Sequence, residues 1–323
     1  MVKAGYYLDS FLAPLAPVLA RKDVTDIWIN HPCEIWVESL GGGIERLSEP
    51  SLDAKLLERL AKQIAAYSSQ GISREQPLLA ANLPDGSRVQ VAAPPATRDG
   101  YAFAFRKHVS ANLGLSDWED SGAFEGAASS NDDIGSERKF HALIGREAAQ
   151  HLRASVYERR NILVSGGTST GKTTFLNSLL AEVPESERLV LIEDTAELHL
   201  KHENAVGLIA ARGELSEASV TAEDLLIAAL RMRPDRIILG ELRGVEAFTF
   251  LRAVNTGHPG SMTTIHADTP HRAIEQLALL VLQAGSKLAR DDVRHYVCTS
   301  VDVFVQLERR AGKRRVSQIL VAE

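Results

Sequence analysis

The sequence predicts an α/β protein in which a mostly parallel sheet, covered by helices, follows a smaller α+β domain. From about residue 136, short apolar runs alternate with helical patterns, which is typical of a parallel sheet. Before residue 107, strands, turns and one helix follow one another without that alternation. The 323 residues are enough for two domains, each with a core of its own.

The first domain is predicted to span residues 1–107. Apolar residues recur at helical spacing over 52–67, and Ser51 is the predicted N-cap of that helix. A turn at the glycines 41–43 separates two of the strands that we expect here. Short strands are predicted at 27–29, 35–37 and 44–47.

Two more stretches of this domain alternate between apolar and other residues, at 88–91 and 101–106. If these strands pair, Arg88 and Arg106 project from the same side of the sheet, beside small residues. Two guanidinium groups in that position would suit a phosphate. The alternative is that both arginines are simply solvated.

Residues 108–137 are predicted to form a linker between the domains. The stretch 109–135 contains six acidic residues, no Lys or Arg, and many Gly, Ser and Ala residues. Such a composition is typical of a long, mobile or partly ordered connection. We expect Trp118 and Phe124 to pin it to a surface. Residues 138–323 are the predicted second domain.

A phosphate-binding motif, G-x-x-x-x-G-K-[ST], begins at Gly166 and ends at Thr173. A predicted strand at 161–165 precedes it and a helix follows, the order that such a loop requires. Its N–H groups and the helix N-terminus attract an anion. Lys172 would reach the β- and γ-phosphates and Thr173 would ligate Mg²⁺. The predicted nucleotide-binding residues of this stretch are Gly166, Gly167, Thr168, Ser169, Thr170, Gly171, Lys172, Thr173 and Thr174.

Titratable residues follow three other predicted strands, where α/β sheets build their sites. Glu193 and Asp194 end one strand, Glu241 ends a second, and His266 ends a third. An enzyme that hydrolyses a nucleotide needs a carboxylate near Mg²⁺ and one that orients water. The sequence leaves these roles open among the three carboxylates. The strands of this domain are predicted at 161–165, 188–193, 235–240, 261–266, 303–307 and 316–321.

Helices are predicted between these strands. Thr221 and Asp224 form a capping box that opens one helix, which is predicted to end near Arg233 and Pro234. A second helix is predicted at 245–255, with Gly257 as its stop.

Composition excludes several classes of protein. The net charge of −6 argues against a broad nucleic-acid surface, and no Asn-Lys-x-Asp motif supports a regulatory GTPase. Two distant cysteines indicate a reducing compartment. No apolar run approaches a membrane span, so we expect a cytoplasmic protein whose membrane contact is at most peripheral. The basic cluster at 309–315 is predicted to be a solvated end or a contact with an anionic membrane.

The chain resembles the VirB11 family of type IV secretion and conjugation ATPases, within the secretion superfamily NTPases. The resemblance rests on LIEDTAEL at 191–198, on RMRPDRIILGELRG at 231–244 and on TGHPGSMTTIHAD at 256–268. These match the Asp box, the Walker B region and the His box of the family. The segments PDGSRVQ at 84–90 and FAFRK at 103–107 are also similar.

This resemblance implies a RecA-like ATPase domain, an N-terminal domain that lids the nucleotide, and a homohexameric ring that uses ATP and Mg²⁺. It implies phosphate-sensing roles for Arg88 and Arg106. A Walker B Asp is absent before Glu241, which is the family's own pattern. The catalytic residues that it implies are Lys172, Glu193, Glu241, Arg243 and His266, and the predicted metal ligands are Thr173, Asp194 and Glu241.

The expected partners are other type IV secretion ATPases and inner-membrane components, with a secreted protein or DNA handled indirectly. We expect no sequence-specific contact with nucleic acid. Alternatives are a Tad or type IV pilus ATPase, a type II secretion ATPase, and a nucleotide-gated docking scaffold with little turnover. Type II assembly ATPases usually carry a four-cysteine zinc module, which two cysteines exclude.

Overall fold

The computed structural model describes residues 6–40, 42–107, 113–125, 127, 138–143, 145, 147–210, 220–310 and 312–323. These residues form two compact units, one up to residue 107 and one from residue 113 onward. Gly41 and the linker residues 108–112, 126 and 128–137 lie outside the described residues. The domain boundaries at 107 and 138 remain predictions.

The N-terminal unit is an antiparallel sheet with helices packed on it. The strands lie in the order β3-β2-β1-β6-β5-β4, and every neighbouring pair is antiparallel. A single 3₁₀ turn, Ala13–Leu15, joins the first two helices. The elements are α1 (Tyr6–Leu12), α2 (Ala16–Leu19), β1 (Val24–Ile29), β2 (Glu34–Ser39), β3 (Ile44–Ser48), α3 (Ala54–Tyr67), β4 (Leu78–Asn82), β5 (Arg88–Ala92) and β6 (Ala102–Arg106).

The predicted N-cap of α3 is wrong. Asp53, not Ser51, holds the extended conformation before the helix, and its Oδ1 accepts the N–H of Leu56 at 2.7 Å. The Ser51 hydroxyl instead donates to Glu49 Oε1 at 2.6 Å. Leu52, between Ser51 and Asp53, is fully buried. Because its side chain is held in the core, the helix begins only after it. A side-chain acceptor caps a helix only from the position directly before its first turn.

The two arginine-bearing strands pair, which was the condition for Arg88 and Arg106 to project from one side of the sheet. Strands β5 and β6 are antiparallel, and Arg88 lies directly opposite Arg106. The neighbouring strand β1 places Asp26 opposite Arg106, and Arg106 Nε donates to Asp26 Oδ1 at 3.0 Å. Like charges directly opposite one another on a sheet are destabilising.

The second unit is an α/β sheet with helices on both faces. Its strands lie in the order β10-β9-β11-β12-β8-β13-β14-β7, parallel from β10 to β13 and antiparallel beyond. The mostly parallel sheet is therefore confirmed. The elements are α4 (Leu115–Asp120), β7 (Phe140–Ala142), α5 (Glu147–Tyr157), β8 (Ile162–Gly166), α6 (Lys172–Leu180), β9 (Leu189–Glu193), β10 (Ala205–Ile209), α7 (Ala222–Ala229), β11 (Arg236–Leu242), α8 (Glu246–Asn255), β12 (Met262–Ile265), α9 (Pro270–Gln283), α10 (Arg290–Ser300), β13 (Val303–Arg310) and β14 (Lys313–Ala322).

The sequence did not predict the two edge strands of this sheet. Strand β7 has only three residues, too few for any periodicity. Strand β10 contains Gly207, and glycine weakens a strand pattern. The capping box of α7 is confirmed, because Thr221 accepts from the N–H of Asp224. That helix ends at Ala229, before the predicted stop at Arg233 and Pro234.

Part of the predicted linker packs into the second unit. Within 113–125 the helix α4 forms, and Trp118 and Phe124 are 3% and 2% exposed. Both rings meet Phe175 of α6 edge-on, with centroids 5.1 and 6.5 Å away. None of the helices formed by the described residues combines the length and the apolar character that a membrane crossing needs.

Candidate functional site

The phosphate loop joins the buried strand β8 to helix α6. A Cβ on Gly166 would lie only 2.5 Å from Thr170 Oγ1 and 3.0 Å from the Leu307 carbonyl oxygen, so the loop closes tightly only around glycine. Gly171 has φ of 93°, in the left-handed region that glycine adopts without strain. Helix α6 begins at the next residue, and its free N–H groups and dipole favour an anion there.

Lys172 turns its side chain back over this loop. Its Nζ donates to the carbonyl oxygens of Gly166 at 3.0 Å and Gly167 at 3.3 Å. The same atom lies 3.6 Å from Glu241 Oε1, and both side chains are largely buried. The ammonium group thus stands between the phosphate loop and the end of β11.

Three charged side chains at the ends of β9 and β11 form a cluster with Lys172: Asp194, Glu241 and Arg243. Arg243 Nε donates to Glu241 Oε2, and Arg243 Nη1 lies 3.4 Å from Asp194 Oδ2. Asp194 directly follows β9, which pairs with β11. The structure therefore brings Lys172, Glu241, Arg243 and Asp194 together, although 22 to 71 positions separate the last three from Lys172 along the chain.

Glu193 has a different environment from Glu241. It is 6% exposed, and its Oε1 accepts the N–H groups of Glu197 at 2.8 Å and Leu198 at 2.7 Å. Its carboxylate therefore holds the loop that follows β9. Glu241 is less buried and faces Lys172 directly.

Two residues that the sequence analysis missed support these loops. Asn177 of α6 donates to the Glu197 carbonyl at 3.0 Å and accepts the His199 N–H at 2.8 Å. Glu246 accepts the N–H groups of Arg243 and Gly244, both at 2.8 Å. Both are buried, so they fix the loops after β9 and β11. The one signal for Asn177 in the sequence was a polar residue at a position of the predicted helix that faces the core.

His266 follows β12 and is exposed. It makes no hydrogen bond or ion pair with the described part of the chain, and it lines a surface cavity together with Asp268, Arg272, Glu275 and Arg290. The loop that it opens approaches the phosphate loop, because a Cβ on Gly167 would lie 3.7 Å from Asp268 Oδ1.

A buried glutamine connects the phosphate-loop strand to this His-box loop. Ser165 Oγ donates to Gln306 Oε1 at 2.5 Å, and Gln306 Nε2 donates to the Ala267 carbonyl at 3.1 Å. Gln306 lies on β13 and is 3% exposed. The signal in the sequence was one polar residue within the apolar run 303–307.

The oxygen donors near the phosphate loop suit Mg²⁺ only in combination with phosphate oxygens. Thr173 lies in the first turn of α6, and the carboxylates of Asp194 and Glu241 meet around Arg243. Among the residues that the structure describes, no group of three or more His, Cys, Asp or Glu side chains would hold a metal ion. Mg²⁺ commonly binds through one or two protein oxygens plus substrate phosphates, so the donor set fits it.

The remaining predicted residues lie elsewhere. Arg88 and Arg106 belong to the N-terminal unit, where they stand side by side on β5 and β6. Within the loop itself, Thr168 and Ser169 are exposed, while Thr170 and Thr174 are buried. Thr170 Oγ1 donates to the Gly167 carbonyl at 2.9 Å and so braces the loop from within.

Known proteins share both the sequence and this organisation. The family model described as "Type II/IV secretion system protein" matches residues 138–318. The VirB11 protein of Bartonella quintana is 38% identical over 95% of this chain and 91% of its own length. PtlH of Bordetella pertussis is also 38% identical, over 97% of this chain and 94% of its own.

Two solved structures are also similar to this chain. The VirB11 ATPase of the Brucella suis type IV secretion system, in complex with sulphate, has 32% identity and a TM-score of 0.50, with 97% of each chain covered. The pilus retraction motor PilT with bound ADP has a TM-score of 0.62 over 98% of this chain and 83% of its own. At 20% identity PilT shares the fold alone. This chain therefore belongs to the VirB11 family of type IV secretion system ATPases.

Proposed function

We propose that this chain acts as a homohexamer that hydrolyses ATP to energise assembly of, or substrate transfer through, a bacterial type IV secretion or conjugation system. One observation carries the catalytic part: Lys172 Nζ stands 3.6 Å from Glu241 Oε1, at the mouth of the phosphate loop. A phosphate-binding cation and a carboxylate thus share one largely buried site. Phosphoryl transfer to water needs this combination.

In this proposal a water attacks the γ-phosphorus, the bond to the β–γ bridging oxygen breaks, and ADP leaves with that oxygen. Lys172 and the N-terminus of α6 stabilise the charge on the phosphate oxygens. Glu241 orients the water and takes its proton. Glu193 keeps the loop after β9 in place, because its Oε1 is already committed to two backbone N–H groups.

Thr173, with Asp194 or Glu241, would hold Mg²⁺ against the phosphates. When bound, this ion supplies positive charge that lowers the repulsion between phosphate and attacking water. Arg243 bridges Glu241 and Asp194 and so holds the two carboxylates together beside the phosphate loop. His266 couples the γ-phosphate to movement of the His-box loop.

The two arginines of the N-terminal unit complete the proposed site in an assembled ring. Arg88 and Arg106 lie directly opposite one another, so both guanidinium groups could contact one phosphate. We propose that they bind the nucleotide phosphates and convert hydrolysis into rigid-body movement.

We infer that the ring works in the cytoplasm, at the inner membrane, where it docks on other secretion ATPases and inner-membrane components. The secreted protein or DNA would be moved indirectly. The second candidate function is a nucleotide-gated scaffold with little turnover. The exposed His266, which has no partner in the described chain, favours neither, because it would sense nucleotide in both.

The catalytic proposal is tested with Lys172→Ala, measured as Mg²⁺-dependent phosphate release by purified protein. We expect turnover to be lost, since no other cation among the described residues contacts Gly166 and Gly167. Lys62→Ala, an exposed lysine of α3, is the control and should keep wild-type turnover. Near-normal hydrolysis by Lys172→Ala would disprove this mechanism. Nucleotide binding without turnover in the wild type would favour the scaffold.

The ring is tested by a dilution series of the wild type and of Arg106→Ala. Specific activity should fall on dilution, and Arg106→Ala should be inactive at every concentration. Arg46→Ala is a matched control, because Arg46 is also an exposed strand arginine of this sheet and pairs with Glu34 at 2.6 Å. Activity independent of concentration, or retained in Arg106→Ala, would contradict the assembled site.

A further inference from the structure

Arg314 of β14 lies against the phosphate loop although no motif includes it. A Cβ on Gly171 would lie 2.9 Å from Arg314 Cδ and 3.3 Å from Arg314 Nε. The same point lies 3.5 Å from the ring of Trp118. The arginine stem and the indole ring therefore cover the glycine that directly precedes Lys172 and α6.

The guanidinium group of Arg314 has no acceptor among the described residues. It makes no hydrogen bond and no ion pair with any part of the chain that the structure describes, although it is partly buried. Its cross-strand neighbour is Arg309, another cation. Burial lowers the pKa of Arg314 from its ordinary value, and the charge of Arg309 lowers it further. A charge held in such surroundings costs free energy unless an anion joins it.

The sheet order shows which part of a nucleotide would meet this group. Strand β8, which leads into the loop, lies between β12 and β13. The carboxylates of Asp194 and Glu241 come from β9 and β11, on the β12 side. The hairpin of β13 and β14 lies on the other side. A nucleotide whose γ-phosphate faces Lys172 and Glu241 would direct its opposite end toward that hairpin.

We propose that Arg314 binds the α-phosphate of the nucleotide and is a further binding residue of this ATPase. This inference rests on the nucleotide binding proposed above. The loop N–H groups cradle the α- and β-phosphates of a nucleotide, and Lys172 reaches toward the γ-phosphate. A guanidinium beside Gly171 then adds a charge-assisted hydrogen bond at the α end. Because ATP and ADP share that phosphate, Arg314 would strengthen the binding of both equally.

The test is calorimetric titration of ADP and of inorganic tripolyphosphate into wild-type protein, Arg314→Gln and Arg315→Gln. Arg315 is the matched control, since it is the next residue of β14, points to the other face and lies opposite Glu308. Arg314→Gln should weaken both ligands by about 10- to 100-fold, the worth of one charge-assisted hydrogen bond. Arg315→Gln should bind as the wild type does.

Three results would overturn the inference. Equal ADP affinity in Arg314→Gln and wild type would show that the arginine does not touch the nucleotide. Weaker ADP binding with unchanged tripolyphosphate binding would show that Arg314 contacts the base or the ribose and not the α-phosphate. Equal weakening by both variants would indicate a general charge effect of the hairpin. In each case, wild-type binding that Lys172→Ala abolishes would leave the proposed function intact.

Turnover and stability distinguish binding from support of the fold. In Arg314→Gln the KM for ATP should rise with the Kd for ADP, while kcat stays within about twofold, because a contact shared by ground and transition state affects binding alone. The thermal midpoint without nucleotide should equal or exceed that of the wild type. A lowered midpoint together with a lowered kcat would mean that Arg314 only supports the fold, and would overturn the assignment.

Discussion

Two arginines of the second unit, the fully buried Arg236 and the partly buried Arg314, have opposite surroundings. Arg236, at the start of β11, is fully buried, and its Nε and Nη2 donate to Glu187 Oε2 at 2.7 Å and Oε1 at 2.9 Å. Its Nη1 donates to the Val156 carbonyl at 2.7 Å. Arg314 has no such acceptor in the described chain.

The difference separates a structural charge from a ligand-binding one. Arg236 lies at the amino end of the parallel strands, away from the strand ends that carry Glu193 and Glu241, and the fold itself satisfies it. Arg314 lies beside the phosphate loop, where none of the described residues offers it an acceptor. Removing one partner of a buried ion pair destabilises the fold, whereas a charge without an acceptor in the described chain is available to a ligand.

The largest effect on stability is expected for Arg236→Gln. The change leaves Glu187 buried with a weaker partner, Arg159 at 3.1 Å. Removing one member of a buried ion pair costs about 3–5 kcal/mol, and we expect the lower end because Arg159 remains. Urea unfolding would measure the loss. Arg310→Gln, an exposed position, should stay within about 0.5 kcal/mol of the wild type. An equally small loss for Arg236→Gln would contradict the structural role assigned to Arg236.

Glu241→Gln tests whether a partnered charge is always structural. Glu241 pairs with Lys172 and Arg243, yet we propose that it also orients the attacking water and takes its proton. We expect kcat to fall by about 100-fold or more, because a positioned base contributes at least that much, with ADP affinity retained. Glu158→Gln is the control, since Glu158 also pairs with the arginine two residues on, Arg160, at 3.1 Å. Unchanged turnover in Glu241→Gln would assign the water to another carboxylate.

The smallest effect is a pH dependence of stability. The hydrogen bond from Arg236 lowers the pKa of Glu187 below its ordinary value of 4.5, although burial opposes the shift. A depressed pKa in the folded state means that this stability is present above pH 4.5 and is lost as the pH falls through the folded-state pKa. Urea midpoints measured from pH 6 downward should therefore decline less in Glu187→Gln than in the wild type. Parallel declines would contradict the assignment.

Local patterns predicted much of the fold. The phosphate loop and the strands at 161–165, 188–193 and 235–240 follow from motifs and apolar runs, and the structure contains them. The sequence placed Arg88 and Arg106 on one side of the sheet only if their strands pair, and the structure supplies that pairing. The N-cap of α3 was wrong because burial of Leu52 decides where the chain turns. Strand β7 was missed because its pairing with β14, and not its own three residues, makes it a strand.

The sequence by itself determined the family, the phosphate loop and the residues at the strand ends, because each depends on neighbours in the chain. Only the tertiary structure decided that Glu193 holds a loop while Glu241 faces Lys172. It also decided that Gln306 joins two motifs and that Arg314 covers Gly171. The contacts of Glu241, Gln306 and Arg314 join segments that the strand order of the sheet brings together but that are distant along the chain. A hydrogen bond across a sheet depends on strand order and register, which no local pattern specifies.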